Sequence, residues 1–334
     1  DYFENTLLPL AYQDLFSPSG EPNPGRYTVD DYNRNTIKGT EYNSAVYLQA
    51  KGSLASFTIV PGLRIEKSRM LLTHWDTVDE PHQFVDFSLD HAALLPNLNI
   101  SYQSDPELLF RFAARLAISR AAFAQLAEAE SIEYDSLTDQ VSTISRANPQ
   151  LKPERAMNYD LSAEWYLSSS SLAELAFYYK KIKDVIYTGS ISFMPNNHKV
   201  TLTQPLNGYP AQLRGVDFHL RHQFDYLPYF WQNTGVDLSA TVQHSWMQNS
   251  LVSDGGTIEM PRAPQQNYKL QVFYQSDSYL IAVNWVHTGK QLLSVSDSGL
   301  DKYLQSSQRL DLSMIYKYSP FSFSVQLENL LNDV

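Results

Sequence analysis

With 334 residues, no cysteine and a formal net charge of −11, the chain excludes a disulfide framework and a thiolate metal site. It also lacks the basic excess of a general nucleic-acid binder. Aromatic residues make up 13% of it, yet hydrophobic residues reach only 43% and the mean hydropathy is −0.33. The longest apolar runs, such as Ala121 to Ala127, fall far short of the roughly 18 residues that mark a membrane helix. A β-barrel reconciles many aromatics with a polar average, because half of each strand and all of the loops face water.

Taken in chain order, twelve stretches alternate apolar and polar residues: 43–52, 56–67, 98–104, 107–118, 155–168, 172–183, 213–224, 233–246, 264–276, 279–290, 306–318 and 321–330. Most approach the roughly 9 to 11 residues that a transmembrane strand needs. In the clearest, Tyr159, Leu161, Ala163, Trp165 and Leu167 point one way while Asn158, Asp160, Ser162, Glu164 and Tyr166 point the other. The pattern predicts an all-β fold, a transmembrane antiparallel barrel wall of about a dozen strands. The apolar register predicts that Leu161, Trp165, Phe177, Leu238, Val242, Leu312 and Phe323 share the lipid face. One face could alternatively be the core of a soluble sandwich, but such strands run nearer five or six residues.

The connections alternate in length. Short turns fall at Ser53 to Ala55, Asp105 to Pro106, Ser169 to Ser171, Asp277 to Ser278 and Ser319 to Pro320, all rich in turn formers. Segment 225–232 is long for this set. Long loops are predicted at 68–97, 119–154, 184–212, 247–262 and 291–304. Barrels of the outer membrane place short turns on the periplasmic side and long loops outside, so the alternation also orients the wall. Beginning at Asp1 without an initiator Met or a basic-apolar leader, the sequence reads as a mature or truncated piece.

Reactive chemistry finds little support. His219 and His222 lie three apart on one strand and therefore on opposite faces, while His74, His82 and His91 are scattered through a loop. No metal site and no cofactor are predicted. The serines from Ser168 to Ser171 read as a turn without a nucleophile elbow, and Gly255-Gly256 reads as a loop tip without a phosphate-binding Lys and helix. The chain is not predicted to be an enzyme.

At Asn148 the chain reads Asn-Pro-Gln-Leu-Lys-Pro-Glu, followed by Asn158-Tyr159-Asp160-Leu161 and Glu164-Trp165-Tyr166, and then by Tyr178-Tyr179-Lys180-Lys181-Ile182-Lys183-Asp184. Pro61-Gly62-Leu63-Arg64-Ile65-Glu66, Pro96-Asn97-Leu98-Asn99, Ser119-Arg120, Gly215-Val216-Asp217 and Glu328-Asn329-Leu330-Leu331-Asn332 fall in a consistent order around these segments. The ordered set resembles the barrel of TonB-dependent outer-membrane receptors. Family members commonly continue Arg-Pro where this chain has Arg120-Ala121.

The resemblance implies a partial barrel domain over 1–334, with the N-terminal plug, the first strands and the last strand outside it. About 12 strands of a probable 22 would then form an open, curved sheet. It further implies energised uptake of a scarce or bulky solute, a glycan or an iron chelate, across the outer membrane of a Gram-negative bacterium. The implied partners are the plug of the same protein, the TonB complex reached through the N-terminal region, outer-membrane lipid and the small-molecule or oligosaccharide substrate, with no nucleic acid. A passive porin-like or adhesive barrel is the alternative.

Two sets of residues follow. Arg64, Glu66, Arg111, Arg115, Asp160, Glu164, Lys180, Asp217 and Arg221 fall on polar strand faces and are expected to face the lumen, pairing with one another or with a plug. In the predicted outer loops and at their borders, Trp75, His82, Tyr134, Phe193, Tyr209, Trp246 and Tyr303 offer flat surfaces for sugars or aromatic chelates, and Arg120, Arg146 and Arg262 suit anionic groups.

Overall fold

The computed structural model describes residues 36–76, 81–127, 130–135, 140–195, 198–248, 256–297 and 300–332, together with Asn33 and Thr138. Gly255 of the glycine pair lies outside them. The wall is built in chain order from β1 (Lys38–Gln49), β2 (Gly52–Leu54), β3 (Phe57–Asp76), β4 (Gln83–Asp105) and β5 (Leu108–Ser119). A short helix α1 (Phe123–Ala127) and strands β6 (Ser131–Tyr134) and β7 (Val141–Ser145) precede β8 (Glu154–Ser168) and β9 (Ser171–Lys183). Then come β10 (Ile186–Phe193), β11 (Val200–Asn207), β12 (Ala211–Gln223), β13 (Thr234–Gln248), β14 (Thr257–Ile258), β15 (Gln266–Gln275) and β16 (Tyr279–Thr288). The chain continues through β17 (Gln291–Ser296), β18 (Lys302–Leu304), β19 (Ser307–Tyr318) and β20 (Phe321–Leu327).

The long strands form one open antiparallel sheet in the order β1-β3-β4-β5-β8-β9-β12-β13-β15-β16-β19-β20. Each neighbour in the sheet follows the last along the chain once the loop strands are set aside, which is the meander that short turns produce. No helix among the described residues is long and apolar enough to cross a membrane.

Register fixes the two faces, since directly paired residues project to the same side. One unbroken row runs Ile59, Ile100, Phe112, Leu161, Phe177, Val216, Val242 across seven strands. Another runs Leu108, Trp165, Ala173, Leu220, Leu238, Leu270, Trp285, Leu310. Leu161 is 51% exposed and Trp165 52%. A face this apolar left open to the surroundings is stable against hydrocarbon, not water. Leu312 joins the face opposite Val283, and Phe323 opposite Tyr316.

Aromatic side chains gather where this face meets the short turns. The rings of Phe57 and Tyr102 lie tilted with centroids 4.6 Å apart, Tyr279 and Tyr316 stack at 4.8 Å, and Phe230 stacks on Tyr274 at 4.8 Å. Toward the long-loop end, Tyr159 lies 6.3 Å from Tyr179 and Tyr268 5.8 Å from His287. Tyr268 and Tyr274 are six residues apart on β15, about 20 Å at roughly 3.3 Å per residue. These are the two girdles of a membrane-spanning wall.

Five predicted connections differ from plain loops. Segment 68–97 is mostly a two-stranded arm, because β3 and β4 stay paired from Phe57↔Tyr102 out to Asp76↔Gln83. Beyond the apolar band the arm's open face turns polar at Lys67, Arg69, Thr73, Asp86, Ser88 and Asp90. Its other face packs Met70 and Leu72 with Leu126, Ala127 and Leu151. Segments 119–154, 184–212 and 291–304 contribute a second, six-stranded sheet in the order β18-β17-β10-β11-β7-β6. Segment 225–232 runs into a 3-10 turn at Tyr229–Asn233.

Candidate functional site at the loop side

The second sheet joins loops far apart in the chain. β10 and β11 form a local hairpin, whereas β10 pairs in parallel with β17 through Gly189↔Val295, and β11 with β7 through Leu202↔Ile144. Beneath it a small core buries Val185, Tyr187, Ala211, Met247, Leu292 and Val295. The mouth of the wall is thus framed by hydrogen-bonded strands instead of independent loops.

The Asn148-to-Glu154 segment holds this frame to the wall. The Asn148 amide donates to the Pro205 carbonyl at 3.0 Å, its side-chain oxygen accepts the Gln150 N–H at 3.0 Å, and its backbone N–H reaches Gln125 O at 2.8 Å. Asn207 clasps Lys152 from both sides, accepting its N–H at 2.8 Å and donating to its carbonyl at 2.9 Å. The Asn207 amide also donates to Asp184 O at 2.8 Å, and Glu154 accepts the Ile186 N–H at 2.7 Å. Buried backbone groups where three segments meet must find partners, and these side chains supply them. Sequence reasoning singled out the segment but missed Asn207, whose only local signal, Asn207-Gly208, reads as a turn.

On the polar face the charged residues pair within and across strands. Arg64 contacts Glu66 at 2.7 Å, and Arg120 reaches the same carboxylate and Glu41 at 3.4 Å. Arg111 pairs with Glu164, which also accepts the Tyr166 hydroxyl at 2.7 Å. Arg221 and His219 converge on Asp237 at 3.6 and 3.1 Å. Arg115 and Asn158 lie opposite one another, as do Asp160 and Tyr178. Lys180 sits 5.2 Å over the Tyr178 ring. Tyr178 crosses Gly215, where a Cβ would stand 2.4 Å from its hydroxyl, to donate to Gln243 at 2.7 Å. Asp217 projects to this face opposite Thr241 and Ala176, with Oδ1 buried and unpartnered.

The ten loop and border candidates do not converge on one place. Trp75 is paired opposite Phe84 near the tip of the β3–β4 arm, with rings 4.8 Å apart, and His82 lies just before β4. Arg120 belongs to the polar-face ion cluster already described. Arg146 donates to Gln204 at 3.1 Å and lines a cavity of about 240 Å³ bounded by Gln125, Ser131, Thr188 and Thr203. Tyr303 lines another, about 340 Å³, with Glu259, Gln265, Gln266 and Lys290, whose ammonium lies 3.9 Å over the phenol ring. Burial, Asp301 and Glu259 push the Tyr303 phenol above its ordinary pKa. Arg262 donates its backbone N–H to Leu292 O at 2.8 Å. Tyr134, Phe193 and Tyr209 stand exposed on the loop sheet and its following turn. Trp246 belongs to the apolar face, beside His244 and under Arg214.

Among the described residues no group of three or more His, Asp or Glu side chains is placed to hold a metal ion. The cavities offer amides, hydroxyls, an aromatic ring and single charges, a set suited to reversible binding of polar solutes.

The profile of the family described as TonB dependent receptor-like, beta-barrel matches residues 3–330. No curated protein matches. Among solved structures, the fold is similar to the ferric-catecholate import receptor Fiu from E. coli K12, at 14% identity and a TM-score of 0.63, covering 93% of this chain and 44% of that one. The copper transporter OprC aligns at 14% identity and 0.63, covering 88% and 42%. The siderophore receptor PirA from Acinetobacter baumannii aligns at 13% and 0.54, covering 95% and 53%. The chain spans about half or less of the length of these structures, and identities this low carry the fold alone.

Proposed function

Because this chain belongs to the TonB-dependent receptor-like β-barrel family, we propose that it is wall and outer loops of an outer-membrane importer of a Gram-negative bacterium. The intact protein takes up a scarce or bulky solute, a glycan or an iron chelate, with energy from the TonB complex. On this reading residues 1–334 are part of one barrel domain. The remaining strands close the barrel, and a plug domain of the same protein occupies the lumen and connects to TonB.

The polar face, with Arg64, Glu66, Arg111, Arg115, Asp160, Glu164, Lys180, Asp217 and Arg221, lines the lumen. Ion pairs hold Arg64, Glu66, Arg111, Glu164 and Arg221 there, and the exposed parts of Arg111 and Arg221 remain open to a plug. The loop sheet is the outer vestibule. Tyr303 with Lys290, and Arg146 with Gln204, line its cavities, and Tyr134, Phe193 and Tyr209 add exposed rings. The protein binds and admits its solute without covalent chemistry.

The observation that carries this reading is the family match across 3–330, supported by the agreement of the open meander with receptor barrels. The test uses the full-length protein in cells, with radioiron-loaded catecholate chelates and fluorescent oligosaccharides as probes. Accumulation of one class should depend on the protein and collapse when TonB is deleted, while surface binding persists. Uptake that survives TonB loss would favour a passive channel.

A further inference from the structure

The sign of charge is divided between the two faces. From β5 through β20 the apolar face carries no Asp or Glu on any strand of the main sheet, and its cationic residues, Arg155, Lys181, Lys183 and Arg214, all lie at the long-loop end of three adjacent strands. Register places them in rows: Arg155 beside Lys183, then Met157–Lys181–Gln212–Trp246, then Tyr159–Tyr179–Arg214–His244. The next row, Leu161–Phe177–Val216–Val242, is wholly apolar. All four cationic residues are exposed, and among the described residues none forms an ion pair with a carboxylate. The polar face shows the opposite habit, with each of its arginine clusters built on Glu or Asp.

Unpaired cations above a hydrocarbon-facing surface attract anionic lipid headgroups. We propose that this patch binds a phosphorylated glycolipid of the outer leaflet, its phosphates on Lys181, Lys183, Arg155 and Arg214 and its acyl chains along the apolar rows below. The patch spans β8, β9 and β12, about 10 Å at roughly 4.8 Å per strand, and extends further along the strands. That footprint suits a headgroup with two separated phosphates better than a single phosphodiester. Tyr159, Tyr179 and Trp246 border it, with the Tyr179 hydroxyl held by Gln212 at 2.7 Å and Arg214 lying 5.3 Å over Trp246. Amphipathic rings of this kind suit the boundary between sugar and acyl chain. The proposal rests on the long loops facing outward.

The test is lipid retention by the full-length receptor purified from outer membranes in mild detergent, read by native mass spectrometry and competition with added lipid. The combined variant Lys181→Ala, Lys183→Ala, Arg214→Ala should bind a bisphosphorylated diglucosamine lipid about 100-fold more weakly, at roughly fivefold per charge. Lys181→Arg with Lys183→Arg should retain it, as should removal of polar-face cations by Lys180→Ala with Lys269→Ala. The dephosphorylated glycolipid and phosphatidylglycerol should compete poorly. Undiminished retention by the triple variant, or equal competition by phosphatidylglycerol, would overturn the proposal. Orientation is read separately by labelling Tyr209→Cys on intact cells with an impermeant maleimide. Labelling with undiminished lipid retention defeats the lipid site alone, and no labelling of a surface-expressed receptor defeats the outward loops and the lipid site together.

Discussion

Leu238→Arg measures the membrane-facing assignment in energy. On β13 the outward side chains run from Thr234 through Val236, Leu238, Ala240 and Val242 to His244. These ten residue steps cover about 33 Å at roughly 3.3 Å per residue. A tilt of about 40° reduces this to about 25 Å, the height of a barrel's apolar band. Leu238 is one step from the centre, so it lies within about 3 Å of the midplane. An arginine at that depth costs about 2–4 kcal/mol, which is roughly 30-fold to 900-fold in the folding equilibrium. The matched control is Thr241→Arg, almost as central but on the polar face opposite Asp217, whose unpartnered Oδ1 would meet the new cation; its cost should stay below about 1 kcal/mol. Denaturant titration of the full-length protein in lipid vesicles reads both. Equal destabilisation by the two substitutions would refute the facing.

Three further perturbations probe other parts of the structure. Asn207→Ala removes the clasp on Lys152 and Asp184; at about 1 kcal/mol per hydrogen bond, hydrogen exchange should quicken tenfold or more in 200–207 and 141–145 while β8 and β9 stay protected, and unchanged exchange in the loop sheet would count against the latch. Gly215→Val pushes a Cβ into the Tyr178 hydroxyl and breaks its bond to Gln243, lowering stability by about 1–3 kcal/mol; in a double-mutant cycle, Tyr178→Ala should relieve part of that cost, and strict additivity would contradict the clash. Arg111→Asp sets a carboxylate against Glu164 but on the water-facing side, so heat-modifiable gel mobility should show a folded yield within about twofold of wild type, and a loss as large as that of Leu238→Arg would contradict its placement.

How much of this was legible depends on which physical signal each part leaves in the chain. The wall was, because hydrocarbon on one side and water on the other imprint a period of two on every crossing, as in Asn158 to Leu167. The β3–β4 arm was not, since outside the apolar band both faces meet water and residues such as Lys67, Arg69 and Asp90 lose the contrast that marks a strand. Nor was the loop sheet, whose parallel pairs Gly189↔Val295 and Leu202↔Ile144 join positions that no local pattern connects. The segment from Asn148 stood out by resemblance, but its action as a latch needed its remote partners Gln125, Pro205 and Asn207. Among the candidate contacts, Tyr303 was visible as a loop aromatic, whereas its neighbours Lys290 and Glu259 carry no mark of their own. Trp246 read as a loop-border aromatic although its even-numbered register with Val242 and His244 puts it on the apolar face.

The central claim, that this sheet is a membrane wall with lipid on one face and water on the other, is tested most directly by a nitroxide scan of the full-length protein in vesicles. These 334 residues contain no cysteine, so once any cysteine elsewhere in the full-length protein is replaced, single cysteines from Asn158 to Leu167 can be labelled one at a time without background. Labels at Tyr159, Leu161, Ala163 and Trp165 should be relaxed by dissolved oxygen, and those at Asn158, Asp160, Ser162 and Glu164 by a water-soluble nickel chelate, alternating residue by residue. A profile without that alternation, with labels on both faces shielded from oxygen and nickel alike, would mean that the apolar face is packed against protein and would contradict the account.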